Sequence, residues 1–376
     1  MPAGARATEV LIIGGGIAGA AAGWALVRRG VSVIIAEAEP VCGRHTTGRS
    51  AAALLATYGP AQVRQLTAES MAFFHDPGDV VDHPLLHRRP TVYVAAAGDE
   101  HGWLALVAEV ALAGELGIPA ELLTPAEVLQ VAPLMRPDWA AGGVIEPETC
   151  DLDVAGLHQG LLRTVLRTPG ATVLTGARIV ALRRDEPAGS PGGPSPRWHA
   201  VGADGSRITA QVIVNAAGAW ADEIARSASV PPVGLRPLRR TAFTAPSHAP
   251  PQAGRPLADG PFLVEITGRW YVKPEGAGVL ASLADETPDI PRDAVAEMAD
   301  VALAIERINE ATVLGLRSVQ RAWAGLRTFT PDGRMLIGPD AVVPGFIWFA
   351  GLGGYGIQTA PRAGEVVADA AIAAMA

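Results

Sequence analysis

The stretch EVLIIGGGIAGAAAGWALVRRGVSVIIAEAE, residues 9–39, decides the fold. A short apolar run with β-branched residues is followed by three glycines spaced as GxGxxG, a helical segment, a second strand and a terminal acid. The acid, Glu37, lies 18 residues after the last glycine. This order of elements is the pattern of a dinucleotide-binding strand–helix–strand unit. The sequence therefore predicts a nucleotide cofactor at the beginning of the chain.

Each position of this unit has a physical role. The first glycine permits the tight turn, the second lets a pyrophosphate approach the backbone, and the third lets helix and strand pack closely. The helix N-terminus then faces the anion. Glu37 is expected to accept hydrogen bonds from the ribose hydroxyls. The loop and helix residues predicted to contact the dinucleotide are Gly14, Gly16, Ile17, Ala18 and Gly19.

Composition limits the class of protein. A chain of 376 residues is long enough for two domains, and 49% hydrophobic residues with 18% charged residues describe a globular protein. A net charge of −8 argues against a nucleic-acid surface. Apart from the glycine-patterned segment, no window offers about 18 apolar residues without charge or proline, so no membrane span is expected.

The two cysteines, Cys42 and Cys150, have no metal-ligand spacing and cannot form a disulfide framework. They predict no metal site, and they fit a reducing cytoplasm. Cytoplasmic localisation is therefore the expectation.

The middle of the chain alternates helices and strands. Apolar residues recur at helical spacing over 61–74 and 104–116, and residues 90–96, PTVYVAA, are typical of a strand. A buried strand at 212–214 and a helix from about Ala219 follow. The glycine- and proline-rich stretches PAGSPGGPSP (187–196) and TAPSHAPPQAGRP (244–256) are expected to be loops.

The end of the chain, GFIWFAGLGGYGIQT (345–359), predicts another strand, a glycine turn and a helix. Gly351, Gly353 and Gly356 formally make a second GxGxxG, but no strand with a terminal acid follows, so a second dinucleotide fold is not expected. Two interpretations remain for this turn. It begins a helix that packs on the first domain, or it presents backbone N–H groups to an electron-rich flavin ring. A single dinucleotide fingerprint favours FAD over NAD.

The motifs GGGIAG, TTGRSAA (46–52), VNAAGAWA (214–221), WAGLRTFTPDG (323–333) and GGYGIQT (353–359) together resemble the D-amino-acid oxidase superfamily of FAD-dependent oxidoreductases. The resemblance runs nearly end to end. Within the superfamily it is closest, in motifs, to bacterial D-arginine dehydrogenases.

The resemblance implies an α/β fold. An FAD-binding Rossmann-like domain of the glutathione-reductase type would be joined to a smaller substrate domain with an antiparallel sheet. The FAD-binding domain is expected in three segments, 1–80, 150–228 and 323–376, and the substrate domain in two, 81–149 and 229–322.

The resemblance also implies a reaction. An α-amino acid, either a D-amino acid or an N-methyl or other secondary amino acid, would be oxidised to the imino acid by hydride transfer from Cα to non-covalently bound FAD. Hydrolysis would then give the 2-oxo acid. A small-molecule amino acid and an electron acceptor (a quinone, a protein carrier or O₂) are the expected partners.

Matched motif by motif, the resemblance assigns substrate contacts. Arg327 and Arg240 fall where the relatives bind the substrate carboxylate, and Tyr271 and Tyr58 fall at phenols that hydrogen-bond it. Gly354 matches a backbone carbonyl that accepts from the substrate amine. Guanidinium groups suit this role because they bind carboxylates through two parallel hydrogen bonds. An exposed basic strand is the alternative for Arg240, and ordinary packing is the alternative for the tyrosines.

The remaining cofactor contacts come from three segments. In TTGRSAA, hydroxyl donors and a small glycine suit a phosphate and flavin-edge loop, although a helix N-cap at Thr46 or Thr47 explains the same letters. The following residues, AAALLATYG (51–59), are expected to begin on a helix at the cofactor and to end at the substrate. The predicted contacts are Thr47, Gly48, Arg49, Ser50, Ala217, Gly218, Gly353, Tyr355, Gly356, Ile357 and Gln358.

The substrate pocket departs from the nearest relatives. Those relatives have a glutamate that pairs with a substrate guanidinium where this chain has Thr91, and a histidine where it has Ala53. Removing a carboxylate removes the partner that offsets desolvation of a cation. With Leu54 next to Ala53, the pocket is expected to favour a substrate that is not strongly basic.

Two further questions stay open in the sequence. Some related oxidases place a lysine near the flavin to activate oxygen, and GAGVLASL (276–283) has none, which favours a dehydrogenase. A tailoring enzyme of the same fold that acts on a hydroxy acid, an N-hydroxy amine or a carrier-bound substrate is the alternative function.

Overall fold

The computed structural model describes residues 5–186, 197–249 and 256–376. The predicted loop 187–196 and part of the predicted loop 244–256 lie outside these residues. No helix within the described ranges is long and apolar enough to cross a membrane.

The helices of the described ranges include one at each predicted position. Residues 61–74 and 104–116 fall within the second and third helices. The α-helices are α1 (Ile17–Val27), α2 (Ala61–His75), α3 (Glu100–Leu116), α4 (Pro125–Val131), α5 (Val154–Arg167), α6 (Ala221–Ser227), α7 (Met298–Ala311) and α8 (Gly356–Ala373).

The strands form four sheets. They are β1 (Arg6–Ala7), β2 (Val10–Ile13), β3 (Val33–Ala36), β4 (Ala53–Leu54), β5 (Leu86–Arg88), β6 (Thr91–Ala96), β7 (Glu121–Leu123), β8 (Ala140–Glu146), β9 (Cys150–Leu152), β10 (Thr172–Leu174), β11 (Ile179–Arg184), β12 (Trp198–Gly202), β13 (Arg207–Ala210), β14 (Val212–Asn215), β15 (Arg236–Pro246), β16 (Phe262–Glu265), β17 (Tyr271–Glu275), β18 (Gly278–Ser282), β19 (Thr287–Pro288), β20 (Arg321–Phe329), β21 (Leu336–Pro339) and β22 (Phe346–Ala350).

The first large sheet has six strands in the order β10-β3-β2-β14-β22-β21, and it is covered on both faces. All of its neighbours are parallel except β21 and β22. One face carries Val10, Ile12 and Val33 and packs against α1, α5 and α8. The other face carries Leu11 and Ile34 and packs against the four-stranded sheet β1-β13-β12-β11. Parallel strands covered on both faces are fully apolar, which explains the unbroken apolar run of β2.

The second large sheet has nine strands. Its order is β19-β15-β18-β17-β16-β6-β8-β7, with β20 paired to β15, and its neighbours are antiparallel except β16 and β6. One face packs against α7 and forms a separate apolar core. The predicted α/β architecture, a Rossmann-like parallel sheet with a second antiparallel sheet, is confirmed.

The expected helix at the start of AAALLATYG is wrong. Residues 51–60 contain only the two-residue strand β4, and α2 begins at Ala61. Ala52 has a φ of 59°, in the left-handed region that ends a right-handed helix. The backbone N–H of Ala52 donates to Ser50 Oγ at 3.0 Å. In place of the expected helix, the segment forms β4, which pairs with β9.

Candidate active site

The glycine loop between β2 and α1 leaves no room for side chains. Gly14 has a φ of 108°, and a Cβ there would lie 2.4 Å from the carbonyl oxygen of Ala216. A Cβ on Gly19 would lie 1.9 Å from the carbonyl oxygen of Gly14. The loop is therefore held tightly between β14 and α1, and its geometry depends on both glycines.

The N-terminus of α1 is stabilised from a distant segment. Gly16, the residue before the helix, makes no side-chain cap. Instead, the backbone N–H of Ile17 donates to Thr47 Oγ1 at 3.0 Å. Thr47 therefore caps α1, and neither Thr46 nor Thr47 caps the helical turn Thr46–Arg49, whose preceding residue makes no cap either.

Glu37 folds back onto the glycine loop. Its Oε2 accepts from the backbone N–H of Gly15 at 2.7 Å, and its Oε1 accepts from that of Glu39 at 2.8 Å. The neighbouring thiol of Cys42 lies under Gly15, and burial, with the charge of Glu37, raises the pKa of Cys42 to about 11. A thiol held protonated is a poor nucleophile.

Two adjoining cavities, which we call the cofactor groove, lie at the carboxyl ends of β2, β3, β14 and β22. One has a volume of about 350 Å³ and is lined by Glu37, Ala217 and Trp220, and the other has a volume of about 150 Å³. Both are lined by Gly16, Thr47 and Gly218. Ligands of open α/β sheets bind at this edge.

The groove fits FAD by its shape and its donors. Gly16 and the first turn of α1 offer backbone N–H groups where a pyrophosphate binds. At the other end, Gly353 has a φ of 53°, and α8 begins at Gly356 without a side-chain cap. The turn at Gly351, Gly353 and Gly356 thus joins β22 to α8.

The other predicted cofactor contacts differ in which groups they contact. Ser50 and Gly218 line the groove, whereas Gly48 packs against Gly43, where a Cβ would lie 2.6 Å from the Gly43 carbonyl oxygen. The Arg49 guanidinium points to the second sheet, where it donates to the carbonyl oxygens of Ala294 at 2.8 Å and Ala324 at 2.7 Å. The remaining groove-lining positions of the prediction are Gly14, Ile17, Ala18, Ala217, Gly353, Gly356 and Ile357.

Gln358, a predicted cofactor contact, has a buried side chain. The side chain is only 4% exposed. Its amide donates to Thr67 Oγ1 at 2.9 Å and to the carbonyl oxygen of Leu55 at 3.3 Å. Gln358 therefore links α8 to α2. It follows Ile357, which lines the groove, so its side chain points to a different side of α8.

The residues assigned to the substrate come together at the 150 Å³ cavity. Arg327, Arg240, Tyr271 and Gly354 all line it. The Arg327 guanidinium donates to Tyr58 Oη at 2.9 Å. It also lies flat against Gly354, where a Cβ would come within 2.5 Å of Arg327 Cζ. The chain thus places two guanidinium groups and two phenols at the mouth of the groove.

Tyr355 completes this cluster from the α8 side. Its ring contacts Tyr58 in an edge-to-face arrangement, with 4.9 Å between the ring centroids. Burial raises the pKa of Tyr355 to about 12, so the phenol remains protonated at neutral pH. Tyr355 therefore packs behind Tyr58 and supports its position.

Arg327, Arg240 and Tyr271 lie on one face of the nine-stranded sheet, which we call the substrate face. Ladder partners point to the same side of a sheet, and the register runs from Arg327 and Arg240 through Tyr271 to Thr91 and Glu146. Tyr271 and Glu146 are three strand spacings apart, roughly 14 Å.

Two of the predicted pocket residues, Leu54 and Thr91, are buried. Leu54 is 2% exposed and belongs to the core around α1. Thr91 is fully buried, and its hydroxyl oxygen accepts from Thr149 Oγ1 at 2.9 Å. Ala53 does pack beside Tyr271, and Leu55 joins it there. Successive side chains of an extended segment point to opposite sides, so Leu55, and not Leu54, lies on the same side as Ala53.

Sequence reasoning missed two acids on or beside the substrate face. Glu146 is 1% exposed, and its Oε1 accepts from Thr57 Oγ1 at 2.7 Å. Burial raises the pKa of Glu146 to about 7, with a contribution from the nearby Glu109. Glu286 Oε1 lies 3.0 Å from Arg240 Nη2 and 3.7 Å from Arg327 Nη1. No motif contains either acid, because strand pairing alone brings them to this face.

A third missed residue, His158, lies below the groove. Its Nε2 donates to the carbonyl oxygen of Gly15 at 2.9 Å, and its ring packs against Gly43. Burial lowers the pKa of His158, so the ring is neutral at neutral pH. Only the packing of α5 against the glycine loop brings His158 to this contact, so local sequence does not reveal it.

Comparison with known proteins gives one family over nearly the whole chain. The family model described as "FAD dependent oxidoreductase" (DAO) matches residues 9–370. A glycerol-3-phosphate dehydrogenase 1 of Mycobacterium tuberculosis is 28% identical over 221 residues, which cover 54% of this chain and 38% of that protein. The match thus spans less than two fifths of this curated relative.

Solved structures share the fold at low identity. Glycine oxidase from Geobacillus kaustophilus superposes with a TM-score of 0.81 at 21% identity and covers 98% of this chain and 95% of its own. L-α-glycerophosphate oxidase from Mycoplasma pneumoniae, a structure with FAD bound, superposes with a TM-score of 0.82 at 15% identity, with 98% and 95% covered. These likenesses establish the architecture.

Proposed function

This chain belongs to the FAD-dependent oxidoreductase family and uses FAD, and from that premise we propose that it oxidises an α-amino acid to an imino acid, which water converts to the 2-oxo acid. The substrate would be a D-amino acid or an N-methyl or other secondary amino acid. The FAD would be bound without a covalent link, which the protonated thiol of Cys42 favours.

One observation carries the proposal. Arg327 and Arg240 line the same cavity as the glycine loop before α8, and Tyr58 accepts from Arg327 at 2.9 Å. Two fixed positive charges with phenolic donors form a binding site for a carboxylate. A carboxylate held there would lie beside the flavin end of the groove, opposite Gly354.

Bound FAD would act as the hydride acceptor for the substrate Cα–H, at flavin N5. The chain itself would supply orientation. Arg327, Arg240 and Tyr271 would fix the carboxylate, and the carbonyl oxygen of Gly354 would accept from the amine. An amine bound in its neutral form requires no protein base, so positioning would provide much of the rate enhancement.

The substrate side chain would extend along the substrate face. Leu55, Phe262 and Leu280 pack with Tyr271 and give this region an apolar character. The buried acid beyond them, Glu146, has a pKa raised to about 7 and is therefore largely protonated in slightly acidic solution. A neutral or apolar substrate side chain fits this surface better than a guanidinium.

The acceptor would be a quinone, a protein carrier or O₂, and we favour a dehydrogenase. The only lysine of the chain, Lys273, is 3% exposed and binds Asp151 at 2.6 Å. It is therefore engaged in an ion pair. We further propose a bacterial enzyme in the cytoplasm, on the basis of the motif resemblance and the two unpaired cysteines.

An alcohol is the alternative to an amino acid as the substrate that is oxidised. Two of the compared proteins are named for the oxidation of glycerol phosphates, which favours an alcohol such as a hydroxy acid as the alternative substrate. N-hydroxy amines and carrier-bound substrates belong to the same alternative.

The deciding experiment is anaerobic reduction of the FAD-loaded protein by D- and L-amino acids, N-methyl amino acids and 2-hydroxy acids. We expect the flavin absorbance to bleach with an amino acid. Bleaching by hydroxy acids alone would replace the proposal with the alternative. Reoxidation in air without another acceptor, followed by stopped flow, would distinguish an oxidase from a dehydrogenase.

Substitution then tests the carboxylate site. Arg327→Gln should lower kcat/KM about 100-fold because a charged, two-point contact is lost, without loss of FAD content. Arg321→Gln, an exposed arginine of the same strand, is the matched control and should leave kcat/KM unchanged. Equal values for Arg327→Gln and the wild type would refute this site.

A further inference from the structure

Glu286 contacts both arginines of the proposed carboxylate site. It lies between β18 and β19, and its Oε1 is 3.0 Å from Arg240 Nη2 and 3.7 Å from Arg327 Nη1. These are the groups that would bind a substrate carboxylate. A carboxylate of the chain itself therefore lies at the substrate-binding guanidinium groups.

The backbone beside Glu286 is firmly held. The carboxylate of Asp285 accepts from the backbone N–H of Thr241 at 2.7 Å, and the carbonyl oxygen of Asp285 accepts from Arg240 Nε at 2.7 Å. The backbone N–H of Ala284 donates to Ser282 Oγ at 2.9 Å. These bonds fix the start of the loop that carries Glu286 at the edge of the site.

The Glu286 side chain itself is loosely held. It is 50% exposed, whereas the side chains of Arg240 and Arg327 are 13% and 17% exposed. Ion pairs with one exposed partner are weak, because water screens the charges and the long side chain must be ordered. The carboxylate can thus rotate into solvent while Arg240 and Arg327 stay in place.

We propose that Glu286 is an internal competitor for the substrate carboxylate and gates access to Arg240 and Arg327. This inference rests on the proposed function, since it takes these arginines as the carboxylate site. A substrate must displace Glu286 before it binds both guanidinium groups.

The test uses benzoate, a carboxylate without an oxidisable Cα–H, and follows the perturbation of the flavin absorbance in the FAD-loaded protein. Glu286→Gln and Glu286→Ala should bind benzoate about two- to fivefold more tightly than the wild type, the range expected for an exposed ion pair. With an oxidised substrate, KM should fall by a similar factor while kcat stays unchanged, because only the binding equilibrium is altered.

Glu275→Gln is the matched control. Glu275 is exposed at the end of β17, and its substitution makes the same change in net charge. It should leave benzoate affinity within the error of the wild-type value. A gain equal to that of Glu286→Gln would show a general charge effect and would overturn the gate.

The two proposals fail in different ways. If Arg327→Gln leaves benzoate affinity unchanged, the carboxylate site itself is wrong, and the gate falls with it. If Arg327→Gln weakens benzoate binding but the Glu286 variants bind it no more tightly than the wild type, the gate alone is overturned. Weaker binding in both Glu286 variants would mean that Glu286 positions the arginines instead of competing.

Discussion

The cofactor groove and the substrate face are built in different ways. The groove depends on backbone contacts at small residues, such as the approach of Gly19 to the Gly14 carbonyl. The substrate face depends on polar side chains far apart in sequence. Arg327 of β20 and Tyr58, which precedes α2 and binds Arg327, are 269 residues apart. Damage to the groove should therefore be severe and insensitive to pH, whereas changes on the substrate face should be graded and depend on charge.

The largest effect is expected at Gly14. In Gly14→Ala the new Cβ would lie 2.4 Å from the Ala216 carbonyl oxygen, in a backbone conformation that L-residues disfavour. We expect a loss of about 4 kcal/mol or more in the free energy of unfolding and little bound FAD. The ratio of flavin to protein absorbance and urea unfolding measure both quantities.

Gly30→Ala separates the two causes. Gly30 also has a left-handed φ, 78°, but a Cβ there meets nothing within 4 Å. This variant should lose only about 1 kcal/mol from its backbone conformation and keep its FAD. Similar losses in the two alanine variants would mean that the contact with Ala216 is unimportant.

On the substrate face, the largest effect concerns Glu146. Burial raises its pKa from 4.5 to about 7, so the folded protein binds this proton more tightly than the unfolded chain. The stability from this proton is present below pH 4.5 and is lost as the pH rises to about 7, on the order of 3 kcal/mol in total. Glu146→Gln should therefore be more stable than the wild type at pH 8 and similar to it at pH 4.5.

Urea unfolding at several pH values checks this prediction. Glu148→Gln, an exposed glutamate two residues away, is the control and should follow the wild-type pH profile. A Glu146→Gln profile that parallels the wild type from pH 4.5 to 8 would show that Glu146 is ionised in the folded protein without penalty.

The contrast between the two regions also explains what the sequence could predict. The glycine spacing and Glu37 lie within 31 consecutive residues, so residues 9–39 contain enough local information to predict the dinucleotide unit. The substrate face was predictable only at Arg327, Arg240, Tyr271 and Tyr58, which belong to motifs. Their roles with a substrate remain predictions.

The other residues of the site depend on tertiary structure. Glu146 reaches the substrate face because β8 pairs with β6. Glu286 reaches Arg240 because β18 and β19, on either side of Glu286, both pair with β15. Leu55 lies beside Tyr271 instead of Leu54 because side chains alternate along the extended segment at β4. This segment follows the left-handed Ala52, whose backbone angle alanine propensity does not indicate. Such contacts follow from strand register and single backbone angles, which residue patterns do not specify.

The smallest effect tests whether the groove also depends on one side chain. His158 Nε2 donates to the carbonyl oxygen of Gly15, directly within the glycine loop. His158→Leu removes this donor and leaves the buried carbonyl unpaired, so FAD affinity should fall about five- to tenfold, the equivalent of roughly 1 kcal/mol. Recovery of flavin fluorescence on dilution measures the dissociation constant.

His158→Gln gives the discriminating result. A glutamine amide can place an N–H donor near the position of Nε2, so it should restore most of the FAD affinity, whereas leucine should not. Equal affinity losses in both variants would show that the ring acts by packing against Gly43 and not by its hydrogen bond. The hydrogen bond would then be dispensable. The groove would depend only on backbone contacts and side-chain packing, whereas the substrate face depends on polar side chains.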